Sequence, residues 1–156
     1  MPPVFTGSLA KRLNDVCALE VVEAADDMTV EPGKVIIARG GEHLTVFRRG
    51  AVVCTRLQDT PPRHGCRPSF DVLGESLVAT YAARCVAVIL TGMGCDGLEA
   101  CQQLKAQGGF VLAQTAETCA VFGMPKCVIA AGLADGVLPP EGVAMALVSM
   151  ARGRKS

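Results

Sequence analysis

The sequence predicts an α/β fold, with a doubly wound, mostly parallel sheet and an antiparallel β-hairpin. Short apolar runs without polar alternation, such as residues 85–90, are typical of strands buried on both faces of a parallel sheet. These runs alternate with segments whose apolar residues recur at helical spacing, which is the pattern of parallel βαβ units. The chain has 156 residues, half of them hydrophobic, and this is the size of a single domain over residues 1–156.

The first 68 residues have the pattern of a helix, four strands and a loop. Phe5, Leu9 and Leu13 mark one face of a helix over residues 4–15. The strand candidates are residues 17–24, 35–38, 43–47 and 51–57. We interpret the last three as an antiparallel hairpin or small meander, followed by a proline-rich loop over residues 59–68.

The remaining residues alternate helices with short strands. Ser69 is predicted to be the N-cap of a helix whose apolar residues are Phe70, Leu73, Leu77 and Tyr81. The later helices are predicted to start at Leu98, Ala116, Pro125 and Pro140. The strand candidates are residues 85–90, 110–114 and 135–138. The helix from residue 116 is predicted to run to Phe122, and in the last helix Val143, Leu147 and Met150 are expected to face inward.

Composition and charge exclude several classes of function. Fifteen basic residues balance fifteen acidic ones, so no global field attracts nucleic acid or an anionic membrane. No apolar run has the length of a membrane span, so we expect no membrane insertion. The eight cysteines include no C-x-x-C pair and no histidine cluster accompanies them, so we expect neither a disulfide nor a metal site. We therefore predict a reduced, cytoplasmic protein without a cofactor.

The stretch from residue 84 to residue 97, R-C-V-A-V-I-L-T-G-M-G-C-D-G, is the most informative part of the chain. It is predicted to form a buried strand followed by a glycine-rich turn that carries Asp96. Ligands and catalytic groups gather at the carboxyl ends of strands in open α/β sheets, so Asp96 is a candidate site residue. Two alternatives remain: Asp96 caps the next helix, or the turn binds a nucleotide phosphate. The second is weak because the G-x-G-x-x-G and G-K-[ST] patterns are absent.

The segment L-T-G-M-G-C-D-G at residues 90–97 resembles the signature of the chemotaxis protein-glutamate methylesterases, the CheB-type catalytic domain. Further segments, in the same order as in that family, extend the resemblance over nearly the whole chain. They are M-P-P-V-F-T-G-S-L-A-K-R-L-N (1–14), E-A (23–24), P-G-K-V-I-I-A-R-G-G-E-H-L (32–44), R-P-S-F-D-V-L (67–73), A-Q-T-A-E-T (113–118) and V-F-G-M-P (121–125). The first strands of the family fold are lacking from this chain, so the resemblance implies a partial catalytic domain over residues 1–156. The receiver domain of the family's usual two-domain proteins is absent too.

The resemblance implies a doubly wound α/β domain with a Ser-His-Asp triad that hydrolyses glutamate γ-methyl esters on chemoreceptors. Asp96 stands at the position of the family's aspartate, where it orients the histidine and steadies its charged form. Met93 stands where the family's pattern places an oxyanion-stabilising group, which we assign to its backbone N–H. Methyl-accepting chemotaxis receptors are the implied partners.

The sequence departs from the family at its start. In the family the catalytic histidine immediately precedes the methionine of an H-M-P segment, and Met1 stands at that methionine. The nucleophilic serine belongs further upstream, so neither residue is in this chain. Two hypotheses follow: Met1 is an internal methionine of a longer protein, which we favour, or the chain is a truncated, non-catalytic relative that binds receptors or other partners.

Four residues are candidate replacements for the missing serine and histidine. His43 is expected to make a loop hydrogen bond, as the family's complete enzymes also resemble this chain there. His64 has no serine-glycine elbow beside it, and Ser69 is better used as a helix cap. Cys95 lies next to Asp96, but a thiol nucleophile also needs a base and a lowered pKa. We therefore expect none of the four to restore catalysis.

The resemblance also gives expectations about the sheet. The strand at residues 85–90 is expected near the sheet centre, with Asp96 in a crevice at its carboxyl end. The family's preceding strands belong between this strand and residues 17–24. Without them two apolar strand edges are exposed, so we expect self-association through these edges.

Overall fold

The computed structural model describes residues 2–153, and the position of Met1 opposite the family's methionine lies outside this range. The chain divides into two compact units between Tyr81 and Ala82. Each unit has its own sheets and helices. The single domain over residues 1–156 stays a prediction.

The first unit combines two helices with two pairs of strands. Its elements are α1 (Pro3–Asn14), β1 (Glu20–Glu23), β2 (Lys34–Ile37), β3 (His43–Arg49), β4 (Val52–Gln58) and α2 (Phe70–Tyr81). Strands β3 and β4 form the predicted antiparallel hairpin, in which His43 pairs with Gln58. Strand β2 pairs in parallel with β1 instead, so its assignment to the hairpin or meander was wrong.

Helix α1 buries two small side chains fully and its predicted apolar face only in part, since Leu9 and Leu13 are half-buried. Its buried residues are Thr6 and Ala10, whereas Phe5 is 58% exposed. The Thr6 hydroxyl lies 2.5 Å from Glu23 Oε1 and accepts the Gly40 N–H at 3.1 Å. A small polar residue at position 6 therefore links the helix to the end of β1, and the larger Phe5 is directed elsewhere.

Helix α2 begins as the sequence predicts. Ser69 is 2% exposed, and its Oγ accepts the Val72 N–H at 3.5 Å, which is the capping bond from the third residue of the helix. The predicted apolar residues of α2 are half-buried. The residues of α2 that are fully buried are Asp71 and Gly74.

The second unit contains a parallel sheet in the order β5-β6-β7. Its elements are β5 (Val86–Ile89), α3 (Leu98–Ala106), β6 (Phe110–Gln114), α4 (Met124–Ala130), β7 (Gly136–Leu138) and α5 (Pro140–Gly153). Strands and helices both contribute side chains to the core of this unit. The core residues that are at most 2% exposed to solvent are Ile89, Cys101, Val111, Leu112, Ala113 and Val128. The predicted βαβ alternation is confirmed in this unit.

Three expectations about the second unit were wrong. Within the described residues β5 pairs with β6 alone, so it lies at an edge of its sheet, not near the centre, and its residues alternate between buried and half-buried. The helix from residue 116 is one 3-10 turn, Ala116–Thr118, after which Cys119 is extended. In α5, Val143 is buried as predicted, but Leu147 is 37% exposed. Among the described residues, no helix has both the length and the apolar character needed to span a bilayer.

Candidate functional site

Asp96 lies on the turn that follows the carboxyl end of β5, which we call the aspartate turn (residues 90–97). The residue is 8% exposed, so its carboxyl group is largely shielded from solvent. The next residue, Gly97, is the N-cap of α3 and has a φ of +98°, a left-handed conformation that favours glycine. The N-cap position of α3 is therefore Gly97, and a capping role for the Asp96 side chain stays a prediction.

The start of the aspartate turn is fixed by backbone contact with the segment before α4. Gly92 N–H donates to Val121 O at 3.0 Å, and Gly92 O accepts the N–H groups of Gly123 and Met124 at 3.0 and 2.8 Å. A Cβ atom on Gly123 would lie 2.6 Å from Gly92 O and 3.1 Å from the Cα of Met93. Only glycine at position 123 allows two backbones to approach this closely.

Hydrogen bonds of two polar side chains, the buried Gln114 and the exposed Thr91, hold the chain where β5 ends. Gln114 is 3% exposed; its Oε1 accepts the Thr91 N–H at 2.8 Å, and its Nε2 donates to Thr118 O at 2.8 Å. The Thr91 hydroxyl accepts the Val121 N–H at 2.9 Å and lies 3.1 Å from Val121 O. No role for Gln114 was predicted from the sequence, although a polar residue at the end of an apolar strand was a signal for one.

Cys95 and Cys127 form a disulfide, with Cα atoms 5.6 Å apart. The prediction that the chain contains no disulfide was therefore wrong. The spacing argument failed because the partners are 32 residues apart and are brought together by the close approach of residues 92 and 123. Since Cys95 is bonded, it is not a thiol nucleophile in this state.

Met93 projects from the aspartate turn. Met93 is 85% exposed, so packing in the protein interior does not explain why an apolar side chain stands at this position. Within residues 2–153, no group accepts a hydrogen bond from the Met93 backbone N–H. Such an N–H, flanked by Gly92 and Gly94, is chemically able to donate to a developing negative charge.

His43 and Ser69 are structural in the first unit. His43 is fully buried; its Nε2 lies 3.1 Å from Pro61 O, and its Nδ1 accepts the Ser69 N–H at 3.2 Å. With Nδ1 as acceptor, Nε2 carries the proton and donates to Pro61. The expected hydrogen-bonding role of His43 is confirmed, although the residue is the first of β3 and not part of a hairpin turn.

His64 lies in the loop before α2, with a φ of +51°. Its Nε2 is 3.9 Å from Oδ2 of Asp71, a fully buried carboxylate, while the His64 side chain is 53% exposed. The arrangement gives His64 a partner inside the first unit.

An ion pair ties the elements behind the aspartate turn together. Lys105 Nζ donates to Asp135 Oδ1 at 2.5 Å, and the Val111 N–H donates to Asp135 Oδ2 at 2.8 Å. Burial raises the pKa of Asp135, but the hydrogen bonds from Lys105 and Val111 outweigh it, so the pKa lies below the usual 3.8. The carboxylate therefore joins α3, β6 and the start of β7 in its charged form.

Three kinds of comparison relate the chain to known proteins. The sequence model described as CheB methylesterase matches residues 1–147. A protein-glutamate methylesterase/protein-glutamine glutaminase of Myxococcus xanthus is 43% identical over 143 residues, which are 92% of this chain and 41% of that protein. One of Geobacillus kaustophilus is 44% identical over 151 residues, covering 96% of this chain and 43% of that protein. The chain thus spans about two fifths of the length of these relatives.

The fold is similar to a solved one. The crystal structure of the Thermotoga maritima CheB methylesterase catalytic domain matches with a TM-score of 0.94 and 42% identity, covering 96% of this chain and 79% of that one. The mixed α/β architecture, with parallel sheets and an antiparallel pair, is thereby confirmed as that of this catalytic domain. On sequence and structure alike, the chain belongs to the CheB methylesterase family.

Proposed function

We propose that this chain carries the aspartate of a Ser-His-Asp triad in a protein-glutamate methylesterase, and that Asp96 is that residue. The observation that supports the proposal best is the burial of Asp96, at 8% exposed, on a turn held by backbone and covalent contacts. A shielded carboxylate interacts with a charged imidazole more strongly than one in bulk water. Its fixed position also selects one tautomer of the histidine.

In the proposed reaction the serine Oγ attacks the carbonyl carbon of a glutamate γ-methyl ester, and the histidine takes the serine proton. The tetrahedral intermediate collapses, and the histidine returns the proton to the departing methoxide, so methanol leaves. Water then attacks the acyl-serine by the same route and releases the glutamate carboxyl. Asp96 stays ionised throughout and stabilises the imidazolium that forms in each half of the reaction.

Met93 is proposed to assist at the carbonyl oxygen. Its backbone N–H lies on an exposed turn beside Gly94, where a Cβ atom would meet nothing within 4 Å, so a substrate has space to approach closely. A backbone donor in this role needs no reorganisation as charge develops, and one such donor typically contributes about 10²–10³ in rate. The exposed Met93 side chain is then available to touch the substrate protein.

The serine and the histidine are proposed to come from residues upstream of Met1 in a longer protein. The second unit contains no histidine, and the two histidines of the first unit are His43 and His64. His43 already uses both ring nitrogens for backbone contacts. The relatives are more than twice as long as this chain, so they have residues with no counterpart in it.

The proposed substrates are methylated glutamates on chemoreceptors, and the proposed setting is the cytoplasm, in chemotaxis signalling. The test is methanol release from methylated receptor by a longer protein that includes the upstream serine and histidine. We expect activity from the longer protein and none above background from the 156-residue chain. Asp96→Asn in the longer protein should lower the rate by about 10⁴, because it spoils the tautomer of the histidine.

The matched control is Glu117→Gln, which removes an exposed carboxylate of the second unit and should leave the rate unchanged. Activity that survives Asp96→Asn within tenfold would contradict the assigned role. Receptor binding without methanol release by the longer protein would favour the non-catalytic alternative. Release by the 156-residue chain, abolished by His64→Ala, would show that the missing residues have been replaced.

A further inference from the structure

The disulfide between Cys95 and Cys127 joins the aspartate turn to α4. Cys95 immediately precedes Asp96 in the sequence. Cys127 lies in the first turn of α4, where its N–H donates to Gly123 O at 3.0 Å. A change at this bond therefore acts on the residue next to the candidate catalytic aspartate.

The two ends of the aspartate turn have anchors that do not depend on the disulfide. Gly92 is held by backbone hydrogen bonds, and Cys95 O accepts the Leu98 N–H at 3.1 Å where α3 begins. Residues 93–95 between these anchors are exposed. Helix α4 reaches this exposed middle through Cys127, whose Sγ is bonded to Cys95 and lies 3.6 Å from Gly94 O. The disulfide is thus the covalent tether of the middle of the turn.

The bond is placed where a reductant reaches it. Cys95 is exposed and Cys127 is half-buried. Cys54, by contrast, is a thiol that is fully buried and out of reach of a reagent in solution. Accessible disulfides are the labile ones, and in reducing compartments they are usually transient, catalytic or redox-sensing.

We propose that Cys95 and Cys127 form a reversible redox-modification site that controls how tightly the aspartate turn is held. The co-reactant is a dithiol. One of its thiolates attacks a sulfur of the protein disulfide to form a mixed disulfide, and its second thiol displaces the protein sulfur. The dithiol is oxidised to a disulfide, and Cys95 and Cys127 are reduced to thiols, with two electrons and two protons transferred.

Reduction leaves the anchors at Gly92 and Leu98 in place and releases the middle of the turn. Residues 93–96 then open locally more often, because opening no longer has to carry α4 with it. The consequence for catalysis by Asp96 rests on the proposed function, whereas the loosening of the turn does not.

The experiment uses the 156-residue chain, oxidised and then treated with or without dithiothreitol. Native alkylation with iodoacetamide, followed by peptide mass spectrometry, should label Cys95 and Cys127 only after reduction, while the exposed Cys17 is labelled in both samples. NMR order parameters of the backbone N–H groups of residues 93–96, which report mobility whether or not an N–H is hydrogen-bonded, should fall from about 0.85 to below about 0.6 after reduction.

Two variants and one control separate the tether from a general effect of the reductant. Cys95→Ser and Cys127→Ser should each show the low order parameters of the reduced protein, with or without dithiothreitol. Cys119→Ser removes a half-buried free thiol of the same unit and should keep the full response to reduction.

Alkylation of Cys95 and Cys127 in the oxidised sample would overturn the proposal, as would a bond that dithiothreitol does not reduce in the folded protein. Equal order parameters for residues 93–96 before and after reduction would overturn it too. None of these readouts involves ester hydrolysis, so failure of the redox proposal is distinguishable from failure of the Asp96 assignment in the longer protein.

Discussion

The region around His43 and the aspartate turn are held in opposite ways. Around His43, side chains of the types that often take part in catalysis have a structural role. The buried His43 imidazole joins Pro61 O to the Ser69 N–H, and the Ser69 hydroxyl caps α2. In the aspartate turn, glycine backbones, an amide side chain and a disulfide near Asp96 constrain the chain. They are Gly92, Gly123, Gln114 and the Cys95–Cys127 disulfide.

This difference separates a structural polar residue from a candidate catalytic one. A buried imidazole with a backbone partner on each nitrogen has no capacity left for chemistry, since a proton transfer at either nitrogen breaks a bond that the fold needs. A carboxylate whose position is set by its neighbours can be altered at a smaller cost in stability. The contrast predicts that substitutions around His43 mainly lower stability, whereas substitution of Asp96 mainly lowers activity.

The largest loss of stability is expected for His43→Ala. The change leaves the Pro61 carbonyl and the Ser69 N–H without their partner and creates a cavity, so we expect a loss of about 4 kcal/mol in the free energy of unfolding. Urea denaturation followed by circular dichroism measures it. His64→Ala, which removes a half-exposed imidazole, is the control and should cost less than about 1 kcal/mol. Equal losses for both would remove the basis of the comparison.

The next effect tests the backbone contact of the aspartate turn. In Gly123→Ala the new methyl group meets Gly92 O and the Met93 Cα, neither of which is a flexible side-chain end. We expect a loss of about 2–3 kcal/mol, measured by the same denaturation, as the turn is pushed away. Gly153→Ala adds a methyl group in open space on α5 and should be neutral or slightly stabilising. An unchanged free energy of unfolding in Gly123→Ala would show that the aspartate turn can move away from residue 123 at little cost in stability.

A smaller effect with a pH signature is expected for Lys105→Met. The substitution removes the cation from Asp135 and should cost about 1 kcal/mol at pH 7, since the pair is only partly exposed. The folded pKa of Asp135 is lowered, so its contribution is fully present above the unfolded pKa near 3.8 and is lost as the pH falls through the folded pKa. The difference from wild type should therefore be constant above about pH 5 and shrink below it.

The control for this pair is Lys126→Met, which removes an exposed lysine of α4. Its unfolding free energy should follow that of the wild type at each pH, as measured by urea denaturation from about pH 2.5 to 7, a range that includes the usual aspartate pKa of 3.8. A Lys105→Met difference that grew on acidification would contradict a lowered folded pKa.

The smallest effect is expected for Ser69→Ala, which removes the capping oxygen of α2. Because the capping bond is long, at 3.5 Å, we expect a loss of about 0.5–1 kcal/mol. Ser149→Ala, on the exposed side of α5, should change the unfolding free energy by less. A loss as large as that of His43→Ala would indicate that the hydroxyl, not the imidazole, holds this region together.

The sequence predicted correctly those helices and strands whose bounds are set by neighbouring residues in the chain. The cap at Ser69 indicated the start of α2, and the apolar run at residues 110–114 indicated the bounds of β6. The partner of β2 has no local signal, since the same β-rich run suits a hairpin with β3 or a parallel pair with β1. Chain periodicity fixes which face of a strand is apolar, but not which strand lies beside it.

The sequence predicted the candidate catalytic residues of the site, but not the disulfide and hydrogen bonds that hold the turn on which they lie. Asp96 and Met93 follow from the motif, and their roles stay predictions. The disulfide depends on the approach of two distant turns, which no cysteine spacing reveals. The short turn at Ala116–Thr118 has a similar cause: Gln114 Nε2 donates to the Thr118 carbonyl, and the extended chain that follows brings Val121 to Thr91. Tertiary hydrogen bonds thus overrode a helical pattern over residues 116–122.

The disulfide also has a mechanical consequence. It closes a covalent ring from residue 95 to residue 127 that includes α3 and the middle strand of the parallel sheet. A force that pulls the chain from its two ends bypasses this ring, so the 32-residue separation, worth about 110 Å of extended chain, stays hidden. Reduction releases that length, and the oxidised and reduced proteins should differ by it when single molecules are stretched to their full contour.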